Sequence, residues 1–433
     1  MEQSANESLK QRDLRCVWHP CTQMHDHEQY PLIPIARGQG IYLYDFAGKS
    51  YIDGISSWWV NLFGHSHPYL NEALQTQLHN LEHTLLAGFT HEPIIRLSER
   101  LIDSTPAGLD ICFYADNGSS AIEVALKMSF HAEILRSNAP KPLFASLQNS
   151  YHGETIGALS VGDVGLYKAI YAPLLLQNVV LPVPEDSTQR ETERAIEGAK
   201  AVFARNRGKI CALVLEPLVQ CAGGMRMHSA AFVRALCALA REEGIAIIFD
   251  EIAVGFGRTG SFFALEQCDV VPDYLCLSKG ITGGYLPLSV VLLNRAVYEL
   301  FYAPYTSNKN FLHSHSYTGN ALAASVANAV FELFLREKTL ETNRAKAAHI
   351  AQRLANLARF KIVKNPRQTG MIAAFDLNLT GRAGMAFYVR ALELGVLLRP
   401  LGNVIYFMPP YIITIEQIDV VFDTIERILG ELG

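Results

Sequence analysis

Two stretches decide the fold: Ile245-Ala246-Ile247-Ile248-Phe249-Asp250-Glu251 and Tyr274-Leu275-Cys276-Leu277-Ser278-Lys279-Gly280. Each is a compact apolar run that ends at charged or polar side chains. A short run without polar alternation is what a strand covered on both faces requires, because neither side of its pleat meets water. Similar runs at Ile111–Ala115, Leu143–Leu147 and Ala212–Leu215 predict further buried strands. Helices are predicted between them. Ser229–Glu243 is one, closed by Gly244, a natural left-handed stop. Ser120 to about Leu135 is another, with apolar residues at 122, 125, 126, 130 and 134 and a Ser120-x-x-Glu123 capping box. Strands alternating with helices predict an α/β fold, a mainly parallel sheet flanked by helices.

The pattern changes after about residue 330. Lys338–Ala358 predicts an amphipathic helix, Met371–Leu377 a strand, and Thr414–Leu429 a helix with a Thr414-x-x-Gln417 capping box. The expected division is therefore 66–330 as a large ligand-binding domain and 331–433 as a smaller α+β domain. Residues 1–65, rich in turns and aromatics, are expected to pack with the small domain.

Composition narrows the function. The 433 residues are 49% hydrophobic and 18% charged with a net charge of −5, an ordinary globular balance. No basic run points to nucleic acid. No apolar run approaches the ~18–20 residues that span a bilayer, and Met1–Arg15 lacks the order of a signal peptide. A cytoplasmic protein is expected. Eight cysteines form no Cys-x-x-Cys pair and are read as reduced thiols. The pairs His25/His27, His65/His67 and His313/His315 have no completing carboxylate or Cys pattern and are read as loop or interface histidines rather than a metal site.

In a doubly wound sheet, ligands bind beyond the carboxyl ends of the strands. Ile111–Ala115 leads into Asp116-Asn117-Gly118-Ser119-Ser120 and a helix, read either as a capped turn or as a phosphate cradle of free N–H groups. Leu143–Leu147 leads to Tyr151-His152-Gly153-Glu154, where Tyr151 is either a packing residue or a stacking platform. Asp250 could be a helix cap, a metal ligand or the partner of a cation; a pyridinium N–H is such a cation. Lys279 is either a surface lysine at a strand end or an amine of lowered pKa that forms an imine and moves a proton. Gly255-Phe256-Gly257-Arg258-Thr259-Gly260 matches G-x-G-x-x-G. No strand runs straight into it and no convincing helix follows, so dinucleotide binding is not expected.

Asp250-Glu251-Ile252-Ala253-Val254-Gly255-Phe256-Gly257-Arg258-Thr259-Gly260 followed by Leu277-Ser278-Lys279-Gly280-Ile281-Thr282-Gly283-Gly284 resembles the signature of class III aminotransferases of pyridoxal 5'-phosphate (PLP) fold type I. Trp18-His19-Pro20, Asp53-Gly54-Ile55-Ser56-Ser57-Trp58-Trp59, Glu216-Pro217-Leu218-Val219-Gln220, Gly223-Gly224-Met225-Arg226-Met227, Arg399-Pro400 and Ile405-Tyr406-Phe407-Met408-Pro409-Pro410-Tyr411 are similar to the biotin-pathway branch of that class. The resemblance implies a homodimeric enzyme that converts 8-amino-7-oxononanoate to 7,8-diaminononanoate, with S-adenosylmethionine or lysine as amino donor. Other class III enzymes, acting on ω-amino acids or diamines, are the alternative. It also implies roles. Lys279 would carry the cofactor and Asp250 would pair with its ring nitrogen. Tyr151 would stack on the ring, and Gly118 and Ser119 would hold the phosphate. Ser316, with His315, would reach the phosphate of the neighbouring subunit's cofactor. Trp58, Trp59, Ser314 and Tyr406 would line the substrate pocket together with Tyr151 and Lys279. Arg399 would bind the substrate carboxylate. The chain departs from the branch at Cys21, where Tyr is usual, and at Glu154, commonly Asp. Further departures are His313-Ser314-His315-Ser316-Tyr317 and Gly284-Tyr285-Leu286-Pro287-Leu288, the latter closer to relatives that take lysine.

Overall fold

A computed structural model describes residues 2–433. The chain divides into two compact units, Glu72–Thr342 and Met1–Asn71 with Asn343–Gly433.

The first unit is built on a seven-stranded sheet. In chain order the strands are β1 (Ile111–Ala115), β2 (Leu143–Leu147), β3 (Asn178–Leu181), β4 (Ile210–Leu215), β5 (Ala246–Asp250), β6 (Tyr274–Leu277) and β7 (Ser289–Leu293). Their spatial order is β1-β7-β6-β5-β4-β2-β3. The run from β6 to β3 is parallel throughout. Only β7 runs against its neighbours, β6 and β1. Ser289–Leu293 is buried throughout and apolar after Ser289, so nothing in its composition marks it as the antiparallel member.

Helix α1 (Gly118–Ser137) covers one face. Its Ala121, Ile122, Ala125, Leu126 and Ala132 are buried with Val214, Ile248, Cys276 and Val291 of the strands. The alanines let the helix approach closely, and each of the larger side chains contributes roughly 1.5–3 kcal/mol by leaving water. The helix starts earlier than the predicted Ser120. Asn117 is the true N-cap, its side chain accepting from Ser120 N. Glu123, expected to close a capping box, instead accepts from the backbone N–H groups of Gly157 and Ala158 at 2.7 and 3.2 Å. The helix Ala230–Glu242 is capped by Ser229 and is followed by Gly244 at φ +65°, as its sequence required.

The second unit holds a three-stranded antiparallel sheet (Val363–Thr369, Ile372–Leu377, Val404–Phe407) and a four-stranded one. In the latter, Ile35–Gln39, Tyr42–Asp45 and Ser50–Asp53 are joined by Val396–Leu397, which pairs parallel with Ile52 and Asp53. The C-terminal helix Ile415–Leu432 opens on the Thr414/Gln417 capping box that the sequence shows. The helix Glu2–Cys16 was not foreseen; its two large apolar residues, Leu9 and Leu14, are not at the spacing of one helix face and give no stripe to read. Among the described residues no helix is long and apolar enough to cross a membrane and no His/Cys/Asp/Glu cluster could hold a metal ion. All eight cysteines are free thiols, five of them buried. Residues 255–259 form turns and Gly260 a bend; the five-residue helix Ala264–Cys268 begins only four residues past Gly260.

Candidate active site

The carboxyl ends of β5 and β6 lie side by side because Asp250 pairs in register with Cys276. Asp250 is therefore the last residue of its strand, and Lys279 follows three residues beyond its neighbour's partner. Asp250 is 5% exposed. Its Oδ1 accepts from Ile252 N at 3.1 Å and its Oδ2 meets His152 Nδ1 at 2.7 Å. Lys279 is itself in a left-handed conformation, φ +44°. Burial pulls its amine below the ordinary lysine range, and the charges of Asp250, Cys221 and Glu216 pull it partly back. An amine held that way is a nucleophile and proton carrier rather than a permanent cation.

Two further buried groups belong to this end of the sheet and were missed as site residues. His152 is 2% exposed, and its Nε2 is buried with no hydrogen-bond partner. Glu216, just past β4, accepts from Tyr151 N and Cys221 N, both at 3.0 Å. Burial raises its carboxyl to about 7, against the pull of His152 and with the push of Asp250. Both residues stand in motifs legible in the sequence. Their partners lie far away along the chain, so no spacing signalled the contacts.

The turn into α1 meets the loop after β2. Ser119 Oγ accepts from Glu154 N at 3.3 Å. Gly153 sits at φ +127°, and a Cβ there would fall 2.1 Å from Ser119 Oγ. A Cβ on Gly118 would fall 2.9 Å from Ile252. Asn117 caps only Ser120 N, so the helix start keeps its dipole and its earlier N–H groups for an anion. Tyr151 donates its hydroxyl to Glu154 at 2.9 Å, and its ring lies edge-on to Tyr167 at 5.3 Å. The longer Glu154 side chain thus reaches the hydroxyl of the residue expected to stack.

Ser314 and Ser316 lie on an exposed loop. His315 Nδ1 is 3.3 Å from Asp116, one residue before the cap of α1, and its Nε2 is 3.0 Å from His313, which in turn meets Lys127 at 3.0 Å. Ser316 is tied down through its carbonyl, 2.8 Å from His83 Nε2.

The remaining expected residues belong to the second unit and form two pairs. The Arg399 guanidinium lies 4.7 Å above the Trp58 ring and donates to Cys21 O at 3.4 Å. Trp59 and Tyr406, 4% and 2% exposed, pack edge-on at 6.1 Å. Ser56, Ser57, Trp58 and Trp59 all have positive φ, between +46° and +75°. Trp59 N bonds Ile55 O and Val60 N bonds Ser56 O, so this is one turn of left-handed helix. Each non-glycine residue there costs roughly 1–2 kcal/mol.

Residues 23–429 match the aminotransferase class-III family model, and the chain belongs to that family, whose members depend on PLP. It is 52% identical to the adenosylmethionine-8-amino-7-oxononanoate aminotransferase of Helicobacter pylori, over 98% of each chain. It is 39% identical to the enzyme of the same name from Anoxybacillus flavithermus, over 93% of this chain and 92% of that one. The solved structure of the Methanocaldococcus jannaschii enzyme of that name superposes with a TM-score of 0.92 at 32% identity, over 97% of this chain and 99% of that one. The Pseudomonas jessenii ω-transaminase in complex with PMP superposes with a TM-score of 0.93 at 26% identity, over 98% of each.

The residues present fit that cofactor. The Asn117 side chain caps only Ser120 N at the start of α1, where the helix dipole favours an anion, and Gly153 lets the loop after β2 lie against Ser119. Asp250 and Lys279, an acid and an amine at one sheet end, are the donor set that a pyridine ring with an aldehyde demands.

Proposed function

We propose that this protein moves an amino group from S-adenosylmethionine to the ketone of 8-amino-7-oxononanoate, giving 7,8-diaminononanoate for biotin synthesis. The observation that carries the reading is that Asp250, backed by His152, ends the strand paired with the one that leads into Lys279. Likeness to relatives of that name over nearly the whole chain supports the substrate pair.

When bound, PLP supplies a carbonyl that takes up an amine and a protonated ring that draws electrons from the carbon bearing that amine. Asp250 would keep the ring nitrogen protonated, and the His152 contact fixes which carboxylate oxygen is left to do so. Gly118 and Ser119 would hold the phosphate and Tyr151 would cover the ring. Lys279, its amine pulled toward the neutral form, would take up at Nζ the proton released from the donor carbon and return it in the reverse transfer to the acceptor. Arg399, stacked on Trp58 and donating once to Cys21 O, would offer its remaining N–H donors to a carboxylate. Ser314, Trp59 and Tyr406 would shape the pocket. The enzyme would work in the cytoplasm as a homodimer, with His315 and Ser316 serving the neighbouring subunit's phosphate. The N-terminal segment would function with the C-terminal one; the pairing of Leu397 with Asp53 supports this.

The test is a donor screen on purified enzyme with 8-amino-7-oxononanoate as acceptor. Diamine formation from S-adenosylmethionine is expected. Formation from lysine alone would reassign the donor. No product from either, with brisk transfer between a simple ω-amine and its ketone, would reject the acceptor as well.

A further inference from the structure

We propose that Asp53 is a positioning residue for substrate recognition, one that clamps a left-handed turn and thereby fixes the Trp58 ring beneath the Arg399 guanidinium. The inference rests on the acceptor reading above and deepens it: Asp53 would set the affinity for a carboxylate-bearing acceptor.

Ser56-Ser57-Trp58-Trp59 contains no glycine, yet all four residues take the conformation glycine favours. Ser57 and Trp58 are at φ/ψ of 46°/51° and 71°/47°. Such a turn persists only where its surroundings over-determine it. Asp53 is the group that does so. Its side chain is fully buried, 0% exposed. Oδ1 accepts from Ile55 N at 3.3 Å and Ser57 N at 3.0 Å. Oδ2 accepts from Ser57 Oγ at 2.8 Å and meets His65 Nε2 at 3.0 Å. The turn is tied down once more where Ser56 Oγ donates to Met408 O at 2.7 Å.

The backbone of Asp53 has a second role. It pairs with Leu397, two residues before Arg399. Gly54 N bonds Leu397 O at 3.1 Å, and a Cβ on Gly54 would lie 2.9 Å from that oxygen. One residue therefore registers both approaches to the stacked pair. Its main chain aligns the strand that leads to Arg399, and its carboxylate holds the turn that leads to Trp58. Stacking occupies the face of the guanidinium; one amino group of its edge donates to Cys21 O, and the remaining N–H donors are left for a planar anion. A turn that relaxed would carry Trp58 away and free Arg399 to rotate.

The experiment compares wild type, Asp53→Ala, Arg399→Ala and the double variant as holoenzymes. Two readouts are taken: acceptor KM against kcat, and calorimetric binding of nonanoate, a carboxylate probe that needs no turnover. Asp53→Ala is expected to raise KM and weaken nonanoate about tenfold with kcat within about twofold. In the Arg399→Ala background it should add nothing. Ser57→Gly placed on Asp53→Ala should recover part of the loss, because glycine takes positive φ freely. Should Asp53→Ala not fold, Ser57→Ala, which loses the Asp53 Oδ2 contact, carries the same expectation at smaller size. Unchanged nonanoate binding, or a loss that adds in full to that of Arg399→Ala, would overturn the proposal. A wild type that fails to turn over the oxononanoate while nonanoate binding still depends on Asp53 would sink the acceptor reading and leave the positioning role standing.

Discussion

Asp250 and Lys279 were legible because an acid and an amine at the ends of buried strands are hard to explain as core residues. His152 and Glu216 were not, because their roles exist only once β2, β4 and β5 are neighbours. The residue-scale predictions follow from those contacts. Asp250→Asn keeps shape and the His152 contact but cannot hold a proton on a ring nitrogen. Turnover should fall at least ~100-fold with cofactor content, read by absorbance after gel filtration, little changed. Lys279→Ala should leave circular dichroism intact and lower turnover by about 10²–10⁴ or more. The buried carboxyls bear on stability. Burial raises Glu251 to about 8 and Glu216 to about 7, from 4.5. A carboxyl whose folded value is raised contributes stability that is full below its unfolded value and is lost as pH rises through the folded one. The melting temperature should therefore decline from about pH 5 to about pH 8 and level off above that. Glu251 accepts from the N–H groups of Ala264 and Leu265, so Glu251→Gln sets N–H against N–H and should be less stable overall. It should nevertheless lose its share of that pH-dependent decline, which a series of thermal melts would show.

At the scale of elements, the helices and strands with regular patterns were readable to within a few residues, and their ends less so. The start of α1 shows why: Ser120 and Glu123 have the spacing of a capping box, but Asn117 is also a good cap and Glu123 finds better-placed donors at Gly157 and Ala158. The left-handed turn at 56–59 was invisible because Ser-Ser-Trp-Trp carries no glycine to announce it. Strand β7 was not foreseen, although Val290–Leu293 is a compact apolar run like those that were. Two predictions belong here. Asn117→Ala should destabilise the chain by about 1 kcal/mol, measured by denaturant midpoint, and weaken PLP binding. Gly153→Ala should weaken PLP at least ~10-fold in a spectral titration, since its Cβ must displace Ser119 or the loop that crosses it.

At the scale of the molecule, the alternation of strands and helices carried the α/β reading, and a mainly parallel seven-stranded sheet is what the chain forms. The pairing of Val396–Leu397 with Ile52 and Asp53 could not be read, since two residues give no periodicity and register between distant segments leaves no trace in sequence. The account turns on one spatial claim, that a single pyridine ring fits between an acid from β5 and an amine from the end of β6. A crystal structure of the PLP-loaded enzyme tests it most directly. The ring nitrogen is expected within hydrogen-bond reach of Asp250, with Nζ of Lys279 against the aldehyde carbon and the phosphate at Gly118 and Ser119. A ring bound elsewhere, or Asp250 and Lys279 opening into different clefts, would contradict it.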